Sequence, residues 1–248
     1  MSKALIITVA GQSSRFRKTL GRDVLKAIYS EENNLSILDN LLDYADKHFE
    51  DIIIVGGYRY KELESFIDKN YKDKKITLVN NTLFEHGSNV SLIDGIKALD
   101  KDYDEVVFAE GDLVIDRASF DGIVESRGDT ITGTTLPIEA KKSVVYYVNE
   151  EDKIVYKYDT EHKLLRIDEG FKSISNSGQI WKFCDIEILK EIANSFGEEG
   201  LNLTNLATIE PYFNKITKPI NHYQIKKWFN CNTIEDYREA IKYLKVEK

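Results

Sequence analysis

The chain has 248 residues, 42% hydrophobic and 31% charged, which is enough for one sizeable core. Its formal net charge of −8 argues against a nucleic-acid partner, because a phosphate backbone is held by a basic surface. No stretch has the length of a membrane span or the apolar run of a signal peptide.

The two cysteines, Cys184 and Cys231, show no metal-type spacing and read as reduced thiols of a cytoplasmic protein. The four histidines are scattered and form no ligand pattern.

In chain order, β-branched runs at 4–9, 52–55, 76–79 and 106–109 predict strands. Segments of helical period lie between them at 36–48, 60–70 and 89–99; in the last, Val90, Leu92, Ile93, Ile96 and Leu99 share one face. Strands alternating with helices predict a Rossmann-like α/β fold, with a mostly parallel central sheet flanked by helices. Ligands of such sheets bind beyond the carboxyl ends of the strands. The second half is expected to add a smaller, partly antiparallel extension, with strands at 130–136, 143–148, 154–158 and 164–167 and helices at 184–195 and 233–244. Residues 175–179 read as a polar loop. A single domain over 1–248 is expected, in two parts, about 1–127 and about 128–248.

The first strand runs into Ala10-Gly11-Gln12-Ser13-Ser14-Arg15-Phe16. A glycine there lets the backbone turn tightly and approach a ligand. Consecutive loop amides and serine hydroxyls can donate to phosphate oxygens, and Arg15 can add a charge-assisted contact. Read alone, the segment is also a plain strand-to-helix turn; it is neither a Walker loop nor a GxGxxG fingerprint. The fourth strand ends in Glu110-Gly111-Asp112. A carboxylate at a strand end is placed to hold Mg²⁺ beside phosphates, and a Gly-Asp turn explains the pair equally well.

Together these segments resemble the nucleotidyltransferase superfamily of the sugar-1-phosphate and phosphocholine enzymes, and most of all the bacterial phosphocholine cytidylyltransferases. The family opens with a strand and a loop of the form AAGxGSR; here Ser13 stands where the second loop glycine is expected. Its P-K-x-L lysine matches Lys26, without the proline. The strand end at Gly57-Tyr58 is similar to the family's TGY, and Asn80-Asn81 with Ser88-Asn89-Val90-Ser91-Leu92 is similar to NN-x-x-SL. Ser and Asn at that helix start also serve as ordinary caps.

The resemblance implies that the part about 1–127 binds the nucleotide and the part about 128–248 the acceptor. It also implies that Ala10, Gly11, Gln12, Ser13, Ser14, Arg15, Gly57, Tyr58, Asn80, Ser88, Asn89 and Glu110 surround the nucleotide. Arg15, Lys26 and Asp112 would act on the phosphates. Mg²⁺ would sit on Asp112 with Asn230 and Asn232.

Those two amides are a departure. The family carries W-x-E-x-D followed by T-x-x-D, whereas this chain reads Trp228-Phe229-Asn230-Cys231-Asn232 before Thr233 and Asp236. Metal binding through Asp112 and Asn232, recruitment of Glu110, or loss of catalysis are the three outcomes left open.

The implied reaction is transfer of CMP from CTP to a small phosphorylated or phosphonate acceptor, such as phosphocholine, aminoethylphosphonate or a phosphorylated amino acid, with release of pyrophosphate. Such a reaction feeds precursors of cell-surface polysaccharide or lipid. The alternatives are a sugar-1-phosphate nucleotidylyltransferase and a catalytically weak nucleotide-binding regulatory protein of the same fold. Acceptor candidates are Trp181, Asp168, Glu169, Glu210, Tyr212 and Phe229. The partners expected are the nucleoside triphosphate and the acceptor, with no membrane; the oligomeric state is open, a homodimer included.

Overall fold

The computed structural model describes residues 1–31, 35–139, 143–158, 165–167 and 169–246. The elements run β1 (Lys3–Thr8), α1 (Ser14–Leu20), α2 (Ile37–Ala45), β2 (Asp51–Gly56), α3 (Tyr60–Asn70), β3 (Ile76–Asn80), α4 (Ser88–Lys97), β4 (Glu105–Glu110), β5 (Leu113–Ile115) and α5 (Arg117–Glu125). The second half continues with β6 (Thr130–Thr134), β7 (Val145–Asn149), β8 (Ile154–Lys157), β9 (Phe171–Phe183), α6 (Ile186–Ser195), α7 (Leu206–Lys215), β10 (Asn221–Ile225), β11 (Trp228–Asn230) and α8 (Ile234–Val246).

The main sheet has the order β10-β6-β9-β4-β1-β2-β3. Strands β3, β2, β1 and β4 are mutually parallel. Strand β9 then runs antiparallel to β4 and to β6, and β10 lies parallel to β6. The hairpin β7–β8 pairs with the first half of β9, and β5 with β11 forms a separate two-stranded ribbon.

The parallel strands are apolar on both faces because helices cover both. Along β1 and β4, Ala4, Ile6, Val106 and Phe108 enter one core with residues of α4, α6 and α7. Their neighbours Leu5, Ile7, Val107 and Ala109 enter the opposite core with residues of α2 and α5. A third cluster joins Phe16 of α1 and Val114 of β5 to Ile234, Tyr237, Ala240 and Ile241 of α8. Helix α2 begins with a full capping box, Ser36 with Asp39, which fixes its start.

Two expectations for the second half need correction, and one helix is added. Residues 175–179 lie inside the 13-residue strand β9 rather than in a loop. Their polar side chains suggested a loop, but the strand flanks a cleft there and needs no apolar alternation. Residues 165–167 form no strand, and Leu164 lies outside the described residues. Helix α7 was not anticipated; Pro211 within it obscures the helical pattern. No helix among the described residues is long and apolar enough to cross a membrane.

Candidate active site

A cleft of about 860 Å³ opens beyond the carboxyl ends of β1 and β4. One wall is the loop after β1. Gly11 is exposed, with nothing within 4 Å of where a side chain would begin. The left-handed residue of the loop is Ser13, at φ 54°, where the family's second glycine would stand. Ala10, Gly11, Ser13 and Arg15 line the cleft, while exposed Gln12 of the loop and Ser14 at the start of α1 lie outside the lining.

The floor comes from β4 and its continuation. Glu110 closes the strand, and Gly111 lets the chain pass β1. A side chain at Gly111 would meet the Thr8 carbonyl oxygen at 2.7 Å and Val9 Cγ1 at 2.3 Å. Asp112 follows. Its Oδ2 takes an ion pair from Lys26 Nζ at 2.9 Å, with the two side chains only 23% and 12% exposed. Asp112 Oδ1 is buried and has no hydrogen-bond donor.

The ribbon brings in the chain's far end. Asn230 of β11 pairs with Leu113 of β5, and Cys231 N donates to the Asp112 carbonyl at 2.9 Å. Asn230 and Asn232 therefore line the same cleft as Asp112. Asn232 Oδ1 is occupied, accepting from Arg15 Nη2 at 2.8 Å. Asn230 donates through Nδ2 to Gln179 Oε1 at 3.1 Å, and its own Oδ1 is buried without a donor.

Two acceptor oxygens without protons to accept, one on Asp112 and one on Asn230, are costly to bury unless a cation shares the space. The residues present fit a hard divalent cation, whose usual protein ligands are a few oxygens completed by water and phosphate. Of the two amides, the geometry favours Asn230 as a ligand; Asn232 is free only when Arg15 lets go.

Glu110 is held from both sides, by Asn205 Nδ2 at 2.8 Å and Gln179 Nε2 at 2.6 Å. Burial, then the Asp112 carboxylate, raise its pKa, while the Asn205 hydrogen bond and Lys26 oppose the shift. Asn205, missed by sequence reading, also lines the cleft, as do Trp228 of the C-terminal motif and Asn176 and Gln179 of the segment read as a polar loop. The only signal available for Gln179 is the glycine before it inside an otherwise β-prone run.

The other expected site residues divide between the cleft lining and the framework behind it. Tyr58 donates its backbone N–H to the Ala10 carbonyl at 3.0 Å, and its ring lies under Arg17, 4.6 Å from the guanidinium carbon. A side chain at Gly57 would collide with Phe84 Cβ at 2.4 Å, so this glycine allows packing behind the loop. Asn80 is exposed at the end of β3, outside the cleft lining; buried Asn81 ties that turn to Ser91 Oγ at 2.9 Å. Ser88 lines the cleft, and its Oγ accepts from Asn205 N at 3.0 Å. Asn89 is fully buried and accepts from Thr208 Oγ1 at 2.8 Å, joining α4 to α7 away from the cleft.

Among the acceptor candidates, Phe229 lines the cleft. Trp181 and Tyr212 do not, and the reason is burial. Both are 0% exposed. The Trp181 ring stacks on Phe108 at 5.4 Å and its Nε1 donates to Tyr156, while Tyr212 OH donates to Asp129. Glu169 is exposed and accepts from Tyr147 OH, and Glu210 accepts from Tyr156 N at 2.6 Å; neither reaches the cleft. Asp168 lies outside the described residues.

A family model described as "Domain of unknown function (DUF6564)" matches residues 22–244. No curated protein sequence matches the chain. Among solved structures, an inositol-1-phosphate CTP transferase from T. maritima superposes with a TM-score of 0.72 at 14% identity, over 98% of this chain and 96% of that one. A CTP:phosphocholine cytidylyltransferase from Streptococcus pneumoniae gives 0.68 at 14%, over 98% and 100%. A UDP-glucose pyrophosphorylase solved with UDP-glucose gives 0.72 at 14%, over the full length of both chains. These likenesses establish the nucleotidyltransferase fold.

Proposed function

This chain belongs to the DUF6564 family, and we propose that it is a nucleotidyltransferase. In this reading it transfers a nucleoside monophosphate, CMP from CTP, onto a small phosphorylated or phosphonate acceptor. The observation that carries the reading is that Asp112 and Asn230, each with an orphaned buried oxygen, line one cleft with an open phosphate-type loop, Lys26 and Arg15. CTP as donor rests on the likeness of the Asn80-Asn81 and Ser88–Leu92 region to the phosphocholine group.

The chemistry asked of the chain is alignment of two anions. An acceptor oxygen attacks the α-phosphorus, the bond from that phosphorus to the β-phosphate bridging oxygen breaks, and pyrophosphate leaves. The attacking oxygen is already anionic, so no general base is needed. Backbone amides of Gly11 and Ser13 donate to phosphate oxygens in a loop whose conformation is set before the ligand arrives. Arg15 exchanges its Asn232 partner for phosphate, and Lys26 exchanges Asp112 for the acceptor or the leaving group. A bound Mg²⁺ supplies charge neutralisation at the phosphate oxygens, and Asp112 with Asn230, joined by the Asn232 amide once Arg15 moves, are the residues that would hold it.

The test is pyrophosphate release with Mg²⁺ and each of CTP, UTP, GTP and ATP against phosphocholine, aminoethylphosphonate, glycerol phosphate, phosphorylated amino acids and sugar 1-phosphates. Release with CTP and one acceptor, lost in Asp112→Ala, supports the reading. Turnover with UTP and a sugar 1-phosphate would replace the donor and acceptor named here. A neutral pair, Asn230 with Asn232, also suits a nucleotide binder without turnover. Tight CTP binding, no release across the panel, and release gained in Asn230→Glu with Asn232→Asp would establish that reading instead.

A further inference from the structure

Gln179 sits inside β9 but not in a strand conformation. Its φ is 56°, in the left-handed region, and the β6–β9 register shifts between Ile131 and Gly133 beside it. Ser177 Oγ accepts from its backbone N–H at 3.2 Å. A bulge of this kind re-aims one side chain out of the alternation of its strand. Glycine occupies that backbone region without strain, whereas a glutamine does not. The side chain held there spans two cleft residues that come from different sheets, Glu110 of β4 and Asn230 of β11.

The direction of these bonds matters. Glu110 accepts on both oxygens, from Asn205 Nδ2 and from Gln179 Nε2. With its amino group committed to Glu110, Gln179 offers only its Oε1 to Asn230. Asn230 must therefore turn its Nδ2 towards Gln179, and its Oδ1 is left facing the other way, buried and unpartnered. A carboxylate presents an acceptor oxygen in either orientation. An amide presents an oxygen in one orientation and an N–H₂ group, which repels a cation, in the other.

We propose that Gln179 is a positioning residue that fixes the amide polarity of Asn230, so that an oxygen and not the amino group faces the cation held by Asp112. This role rests on the cation site described above. It explains how a neutral residue at position 230 can serve where a carboxylate would need no orientation.

The experiment is Mn²⁺ binding, measured by electron paramagnetic resonance with the metal alone and with inorganic pyrophosphate, alongside thermal unfolding. Gln179→Gly suits the backbone conformation but takes a hydrogen bond from Glu110 and one from Asn230, so the Tm checks that it stays folded while Mn²⁺ is expected to weaken roughly 10-fold or more, as loss of an outer hydrogen bond to a ligand does. In the Asn230→Asp background the same change is expected to have no effect on Mn²⁺ affinity, because the carboxylate needs no orientation. Gln179→Met, which keeps length without either hydrogen bond, takes the place of the glycine variant if that variant unfolds. Wild-type Mn²⁺ binding that is unchanged in Gln179→Gly, or a loss that persists in the Asn230→Asp background, would overturn the positioning role alone. A wild-type protein that takes up no Mn²⁺ under either condition would overturn the cation site itself and the positioning role with it.

Discussion

At Asp51 the balance between burial and charge can be read atom by atom. The residue opens β2 and is 6% exposed. Burial alone would raise its pKa, but Lys101 at 2.8 Å, Lys75, and Tyr103 OH at 2.9 Å outweigh burial and hold it down to about 2. A carboxyl with a depressed folded pKa stabilises the fold fully above its unfolded value and loses that contribution as pH falls through the folded value. Both lysines are partly exposed and screened, so the contribution is about 1–2 kcal/mol. Urea unfolding should therefore show wild type more stable than Asp51→Asn at neutral pH, the gap closing as pH falls from 3.8 towards 2. The resemblance pointed to Lys26 and Asp112, because each falls in a short motif, and both line the cleft. The local pattern placed Gln179 only in a polar loop at 175–179, because its partners are set by a bulge whose register is fixed by pairing with β6.

Helix α8 shows how one element's start controls the site. Thr233 and Asp236 form a reciprocal cap: Thr233 N donates to Asp236 Oδ2 at 2.7 Å, and Asp236 N donates to Thr233 Oγ1 at 3.2 Å. Asn232 immediately precedes this cap. Thr233→Ala is expected to cost about 1 kcal/mol in unfolding free energy. Its larger signature should be a raised KM for the nucleotide at unchanged acceptor KM, because Asn232, proposed to join the cation once Arg15 turns to phosphate, is placed by where α8 begins. Steady-state pyrophosphate release checks both. Element existence was legible wherever both faces of a strand are apolar, as in β1, β2 and β4, and wherever a helix carries one apolar stripe, as in α3. It was not legible in β9, where Asn176, Ser177 and Gln179 spend their polarity on the cleft.

Across the whole molecule, the cleft exists because the sheet has two kinds of neighbour at its centre. Strand β9 runs antiparallel between β4 and β6 and carries Trp181 into the core opposite Phe108. Trp181→Ala is expected to destabilise by about 3–5 kcal/mol through the cavity it leaves, while Trp181→Phe leaves the acceptor KM unchanged. Phe229→Ala should do the reverse, raising the acceptor KM with a smaller loss of stability, since Phe229 is only partly buried at the cleft wall. Denaturant midpoints and acceptor titrations separate the two. Aromatic type made both residues acceptor candidates in the sequence; only burial distinguishes them.

The sequence by itself determined the alternation of strands and helices, the β1 loop, the Gly111-Asp112 strand end and the T-x-x-D start of α8, because each depends on neighbours a few residues apart. The tertiary structure decided which residues share the cleft: Asp112 and Asn230 brought to it by the β5–β11 ribbon, Arg15 bonded to Asn232, and Gln179 between the Glu110 carboxylate and the Asn230 amide from different sheets. It also removed Trp181, Tyr212 and Asn89 from the site by burying them. Contacts between distant segments follow from packing and register, which are properties of the assembled sheet and leave no periodic trace in the chain.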